Sequence, residues 1–128
     1  MKSIRVLIVD DSAVMRKIVE RSLRQAGIEL REVLEASNGM EGLAAVRQSS
    51  VDLILSDINM PAMDGLEFLH GLRSVDNAKN TPVVMITTEG SESRVVEALT
   101  AGARGYIRKP FTPDQVKERV TPLLEGLS

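Results

Sequence analysis

Five short apolar runs punctuate the chain, each followed by a longer amphipathic or polar stretch. Ile4 to Val9 (IRVLIV) is apolar and rich in β-branched residues, and predicts a first strand. Val14 to Ala26 then places Met15, Ile18, Val19, Ser22 or Leu23, and Ala26 at helical spacing, with Gly27 as the closing residue. Leu30 to Ala36 is diluted by Arg31, Glu32 and Glu35, the pattern of a strand near a sheet edge. Asn38-Gly-Met-Glu41 has capping-box spacing and predicts a second helix through about Gln48. Val51, Leu53, Ile54 and Leu55, interrupted only by Asp52, predict a buried parallel strand that runs out at Asp57. Asp64-Gly-Leu-Glu67 repeats the capping-box spacing and starts a third helix through about Arg73.

Residues 74 to 81 read as polar loop. Pro82 has no N–H for a sheet ladder, so it can only precede the apolar strand Val83 to Thr87. Ser91 is the expected N-cap of a fourth helix, with Val95, Ala98 and Leu99 facing inward and Gly102 at its end. Arg104 to Arg108 predicts a short fifth strand around Tyr106 and Ile107. Thr112-Pro-Asp-Gln115 combines an N-cap, a proline at the first helical position and a polar residue three on, and starts the fifth helix. Pro122 falls inside that helix and predicts a kink near residues 118 to 121, or an early stop.

Strict β-α alternation implies an α/β fold: a doubly wound five-stranded parallel sheet with helices on both faces and right-handed crossovers. All strand C-termini then open onto one edge, where such sheets place their chemistry. The residues following the strands become neighbours there. They are Asp10 and Asp11 after the first, Asp57 and Asn59 at the third, Thr87, Thr88 and Glu89 at the fourth, and Lys109-Pro110 after the fifth.

Composition narrows what this edge can do. The 128 residues suit one domain spanning 1–128. Sixteen Lys and Arg against eighteen Asp and Glu leave a formal charge of -2, which argues against nucleic-acid coating. Only 2% of residues are aromatic, too few for base-stacking platforms. The absence of cysteine excludes disulfides and thiolate metal sites. No apolar run reaches the length of a membrane span or a signal peptide, so a soluble, cytoplasmic protein is expected.

Three carboxylates brought close together repel one another, and a hard divalent cation relieves that repulsion. Mg2+ takes oxygen ligands and keeps several waters, so two carboxylates and a carbonyl suffice; no His or Cys in the cluster favours zinc or copper. A carboxylate, Mg2+, a lysine and a hydroxyl suit phosphoryl transfer, with Asp57 as nucleophile, Lys109 on one phosphate oxygen and Thr87 on another.

Asp10-Asp11, Asp57 with the following INMPAMDG, Thr87, and Lys109-Pro-Phe together resemble a response-regulator receiver domain, and among these the single-domain chemotaxis regulators of CheY type. The resemblance covers essentially the whole chain. It implies the flavodoxin-like (βα)5 strand order 2-1-3-4-5, which the spacing alone does not fix. It implies that Asp57 accepts a phosphoryl group from a phosphohistidine on a histidine kinase. Asp11, Asp57 and the Asn59 backbone carbonyl would ligate Mg2+, with Asp10 acting through water or from a second layer. Thr87 and Tyr106 would form a switch pair, Lys109 would pair with the phosphate, and the Lys109-Pro110 bond is expected to be cis. The face formed by the fourth helix, fifth strand and fifth helix would then shift and control a partner such as the flagellar motor switch.

Such a chain is a self-phosphorylating, slowly self-dephosphorylating switch rather than a turnover enzyme, without nucleic-acid or membrane partners. Asn59 and Glu89 flank the pocket and could tune the phosphate lifetime or meet a phosphatase. An alternative is a phosphorelay carrier that passes the phosphoryl group to a histidine phosphotransfer protein. An Asp-nucleophile phosphohydrolase is disfavoured, because Asn59 stands where that class needs a second Asp to protonate a leaving group.

Overall fold

The computed structural model describes residues 3–88 and 92–125. Its elements alternate as β1 (Ile4–Val9), α1 (Ala13–Gln25), β2 (Leu30–Ala36), α2 (Gly39–Gln48), β3 (Leu53–Asp57), α3 (Gly65–Leu72), β4 (Val83–Thr87), α4 (Glu92–Thr100), β5 (Gly105–Arg108) and α5 (Pro113–Leu124). All strand pairs are parallel, in the order β2-β1-β3-β4-β5. This is the flavodoxin-like arrangement, and it puts the charge-diluted β2 at one edge and the four-residue β5 at the other.

Alternation along the strands divides the core in two. Leu7, Val9, Ile54 and Met85 face α2, α3 and α4, where Leu43, Phe68, Leu69, Val95 and Ala98 meet them. Ile4, Val6, Ile8, Leu53, Leu55, Val84 and Ile86 face α1 and α5, packing with Val19, Leu23, Val116 and Val120. β3 and β4 are buried along their whole length, as strands covered on both faces must be.

Helix starts follow local chemistry. Ser12 caps α1 by accepting from the Met15 N–H, and Asp64 and Thr112 complete reciprocal capping boxes with Glu67 and Gln115. At α2 the predicted box is half formed. Asn38 accepts from the Glu41 N–H, but the Glu41 carboxylate accepts from Ser37 N–H instead. The expected Ser91 cap lies outside the described residues.

The inward placement of Leu99 and the early stop offered at Pro122 need correction, and one apolar position of α1 turns outward. Leu99 is 41% exposed, because the inward stripe of α4 runs through Val95, Ala98 and Ala101 and leaves residue 99 turned away. Ile18 is equally exposed on α1. Pro122 does not stop α5, which continues to Leu124. The buried Val120 and Leu124 hold that last turn against the sheet. The bond that Pro122 cannot donate would go to the carbonyl of Glu118, an exposed residue that water can satisfy.

Candidate functional site

β1 and β3 are neighbours at the sheet centre with Val9 beside Ser56, so Asp10 and Asp57 emerge side by side at the C-terminal edge. Oxygen atoms of Asp10, Asp11 and Asp57 lie within 4.8 Å of one another. From the far side, the Lys109 ammonium reaches Asp10 Oδ2 at 3.4 Å and Asp57 Oδ2 at 3.7 Å. Asp10 is buried and Asp57 is 8% exposed, whereas Asp11 faces solvent. The arrangement is an acidic bowl with Asp57 at its base and one amine on its wall.

Backbone geometry fixes the bowl. Gly65 opens α3 directly beneath the end of β3, and a Cβ there would collide with the Asp57 carbonyl oxygen and lie 2.8 Å from the Ile58 Cα. Its N–H donates to the Ile58 carbonyl at 2.7 Å. Ala62 takes a positive φ of 66° in the intervening loop. The Lys109 N–H donates to the Thr87 carbonyl at 2.7 Å, and the Lys109-Pro110 peptide is cis. Lys109 is thereby tied to the end of β4 before its side chain turns into the bowl.

Burial raises the Asp57 carboxyl above the usual range. The neighbouring Lys109 lowers it, Asp10 raises it further, and the Ile58 and Asn59 N–H groups pull it down. The charged form of this carboxylate therefore carries a desolvation cost. A site of clustered, hard oxygen donors with one exposed member suits a divalent cation that retains waters, and Mg2+ fits the donor set.

A family model described as the response regulator receiver domain matches residues 6–121. The chain belongs to the response-regulator receiver family. The receiver is 38% identical over 126 residues to chemotaxis protein CheY-3 of Vibrio cholerae, covering 98% of this chain and 95% of that one. It is 40% identical over 121 residues to chemotaxis protein CheY1 of Helicobacter pylori, covering 94% and 96%. Its fold superimposes on the structure of the chemotaxis response regulator CheY4 of Vibrio cholerae with a TM-score of 0.82, at 38% identity, over 96% of this chain and all of that one. It is therefore a receiver of the type found in chemotaxis proteins, a two-component signalling switch.

The structure brings Asp10, Asp11, Asp57 and Lys109 together. Thr87 is buried at the end of β4, and its hydroxyl donates to the Thr88 carbonyl at 3.2 Å. Tyr106 is half-buried opposite Met85, on the same sheet face as Thr87 two residues along. Asn59 is exposed two residues beyond Asp57. Glu89 lies outside the described residues.

Sequence reasoning missed Arg16. Its Nη1 donates to the Asp10 carbonyl at 2.7 Å while its Nε pairs with Glu35 at 2.9 Å, tying the Asp10-Asp11 turn to edge strand β2. Arg94 was missed too; it pairs at 2.7 Å with Asp64, the N-cap of α3. Neither has a sequence signature, since the partners are six and thirty residues away. Among the described residues, no helix is long and apolar enough to cross a membrane.

Proposed function

We propose that this receiver accepts a phosphoryl group on Asp57 from a phosphohistidine of a partner kinase and signals by a shift of its α4-β5-α5 face. The observation that carries the reading is the bowl itself, with three carboxylates within 4.8 Å and the Lys109 amine on its wall. Asp57 Oδ attacks phosphorus in line, an O–P bond forms, and the N–P bond breaks. The departing imidazole keeps the electron pair and takes up a proton from solvent. Lys109 pairs with a phosphoryl oxygen, and the Thr87 hydroxyl turns from the Thr88 carbonyl to donate to another. Asp10, Asp11, Asp57 and the Asn59 carbonyl would hold Mg2+, which neutralises charge on the transferring group when bound.

The new charge of about -1.5 to -2 favours the conformer in which Thr87 and Lys109 close on it. Tyr106 on the adjacent strand then follows Thr87, and the α4-β5-α5 face changes its affinity for a downstream protein, the flagellar motor switch being the natural candidate for a chemotaxis-type receiver. Asn59, exposed two residues beyond Asp57, and Glu89, two residues past Thr87 along the chain, are assigned the tuning of the phosphate lifetime or the encounter with a phosphatase. Phosphoryl transfer occurs once per cycle, followed by slow hydrolysis, so the protein acts as a switch and not as a turnover enzyme.

Incubation with a small phosphodonor and Mg2+, scored by intact mass, tests the reading. One added phosphoryl group is expected, absent in Asp57→Asn and after chelation. Unchanged labelling of Asp57→Asn would move the acceptor elsewhere. Rapid onward transfer to a histidine phosphotransfer protein, rather than slow hydrolysis, would identify a relay carrier.

A further inference from the structure

The rim around β5 carries a contact that phosphoryl transfer does not use. β5 is an edge strand, and among the described residues no further strand covers its outer side. Ile107 is buried against the α1-α5 core, while Tyr106, pointing the other way, packs half-buried on the opposite layer. On α5 the stripe Val116, Val120 and Leu124 faces inward. Gln115 and Arg119, one turn apart, lie on the flank of that stripe. From there the guanidinium of Arg119 reaches round the sheet edge to the tyrosine ring, its carbon 5.6 Å from the ring centroid. A cation at that distance is attracted to the electron-rich face of a tyrosine.

Two further observations give the contact meaning. Arg119 forms no ion pair among the described residues, so no carboxylate competes for its charge. Tyr106, Lys109, Gln115, Glu118 and Arg119 all line one cavity of about 490 Å³. The ring therefore borders open volume beside Arg119 as well as the core layer it packs against. A ring with room to move is held by whatever attraction its exposed face finds.

We infer that Arg119 is a positioning residue for Tyr106: its guanidinium holds the ring in the placement this structure shows and so sets how readily the ring leaves it. The inference rests on the reading of Tyr106 as a switch residue. It makes Arg119 a brake on that switch, acting through the ring and remote from the acidic bowl. Removing the charge releases the ring toward its other rotamer by roughly two- to five-fold in population, the range for a cation–π contact at an exposed site.

The chain contains one tyrosine and no tryptophan, so every tyrosine signal comes from Tyr106. Three-bond couplings to its Cγ in isotopically labelled full-length protein report the χ1 populations and are insensitive to the loss of a nearby charge. Arg119→Met keeps an apolar stem without charge; Arg119→Lys keeps the charge. Without phosphodonor, the rotamer ratio of Arg119→Met is expected to shift roughly two- to five-fold, while Arg119→Lys stays near wild type. A wild-type ratio in Arg119→Met, or equal shifts in both variants, overturns the proposal, the latter by showing that stem packing and not charge holds the ring. Wild-type protein with Mg2+ and phosphodonor forms a separate arm. If its ratio stays constant while intact mass shows phosphorylation, the switch role of Tyr106 fails, whatever the Arg119 comparison gives.

Discussion

Replacing Asp57 with Asn keeps the shape of the side chain and removes one buried negative charge. At an effective dielectric constant near 20, a carboxylate pair at the 4.8 Å limit of this cluster repels by about 3.5 kcal/mol, and the 3.7 Å contact with Lys109 attracts by about 4.5 kcal/mol. The lysine therefore offsets roughly the repulsion from Asp10. What remains is the desolvation of a carboxylate only 8% exposed and a weaker, screened repulsion from exposed Asp11, together about 1–2 kcal/mol against folding. Lys109 is not stranded by the substitution, because it keeps Asp10 at 3.4 Å. Asp57→Asn should thus melt about 4–8 °C above wild type at pH 7 in the presence of a chelator.

The pH dependence carries a sign that a merely local packing effect would not. The folded-state carboxyl of Asp57 is raised, chiefly by burial, so its proton binds the folded chain more tightly than the unfolded one. The penalty is present in full above the folded value. It diminishes as pH falls through that value and vanishes below the unfolded value. The gap between variant and wild type should therefore narrow on acidification. Thermal unfolding by circular dichroism across pH 4 to 8 measures both quantities. A variant that melts at or below wild type at pH 7, or a gap that widens on acidification, would refute the reasoning.

Other outcomes follow from the same geometry. Mg2+ at about a hundred times its Kd should stabilise wild type by about 2.7 kcal/mol in thermal unfolding, an increment largely lost in Asp57→Asn and reversed by chelation. Lys109→Ala leaves Asp10 and Asp57 without their cation and should lower apo stability by about 1–3 kcal/mol; it should still accept phosphate by intact mass yet bind the downstream partner poorly, and normal partner binding would remove Lys109 from the mechanism. Gly65→Ala forces a Cβ onto the Asp57 carbonyl and should cost about 2 kcal/mol or more in denaturant unfolding while abolishing phosphorylation. Glu35 is held below the usual carboxylate range by Lys17 and then Arg16, so it contributes stability above its unfolded value that is lost as pH falls through its folded one; Glu35→Gln should cost no more than about 1 kcal/mol at pH 7 and flatten that acid limb.

Much of this receiver is local information. The periods of two and about 3.6, the caps Ser12, Asp64 and Thr112 and the stops at Gly27 and Gly102 are decided within a few residues, so the chain alone determined the order of elements and which residues end each strand. From β-α alternation and right-handed crossovers it follows that Asp10, Asp57, Thr87 and Lys109 share one edge. The boundary conditions of packing were not legible. Leu99 has helical spacing, but its orientation depends on which stripe of α4 the sheet accepts. Pro122 carries a local rule against helix that Val120 and Leu124 override by burial. Arg16 on the Asp10 carbonyl, Arg94 on Asp64 and Arg119 over Tyr106 each join elements whose distance is set only when the sheet is assembled. Short-range propensity is written in neighbours along the chain; the contacts that hold the bowl and its rim are made between neighbours in space, and these exist only once the core has closed.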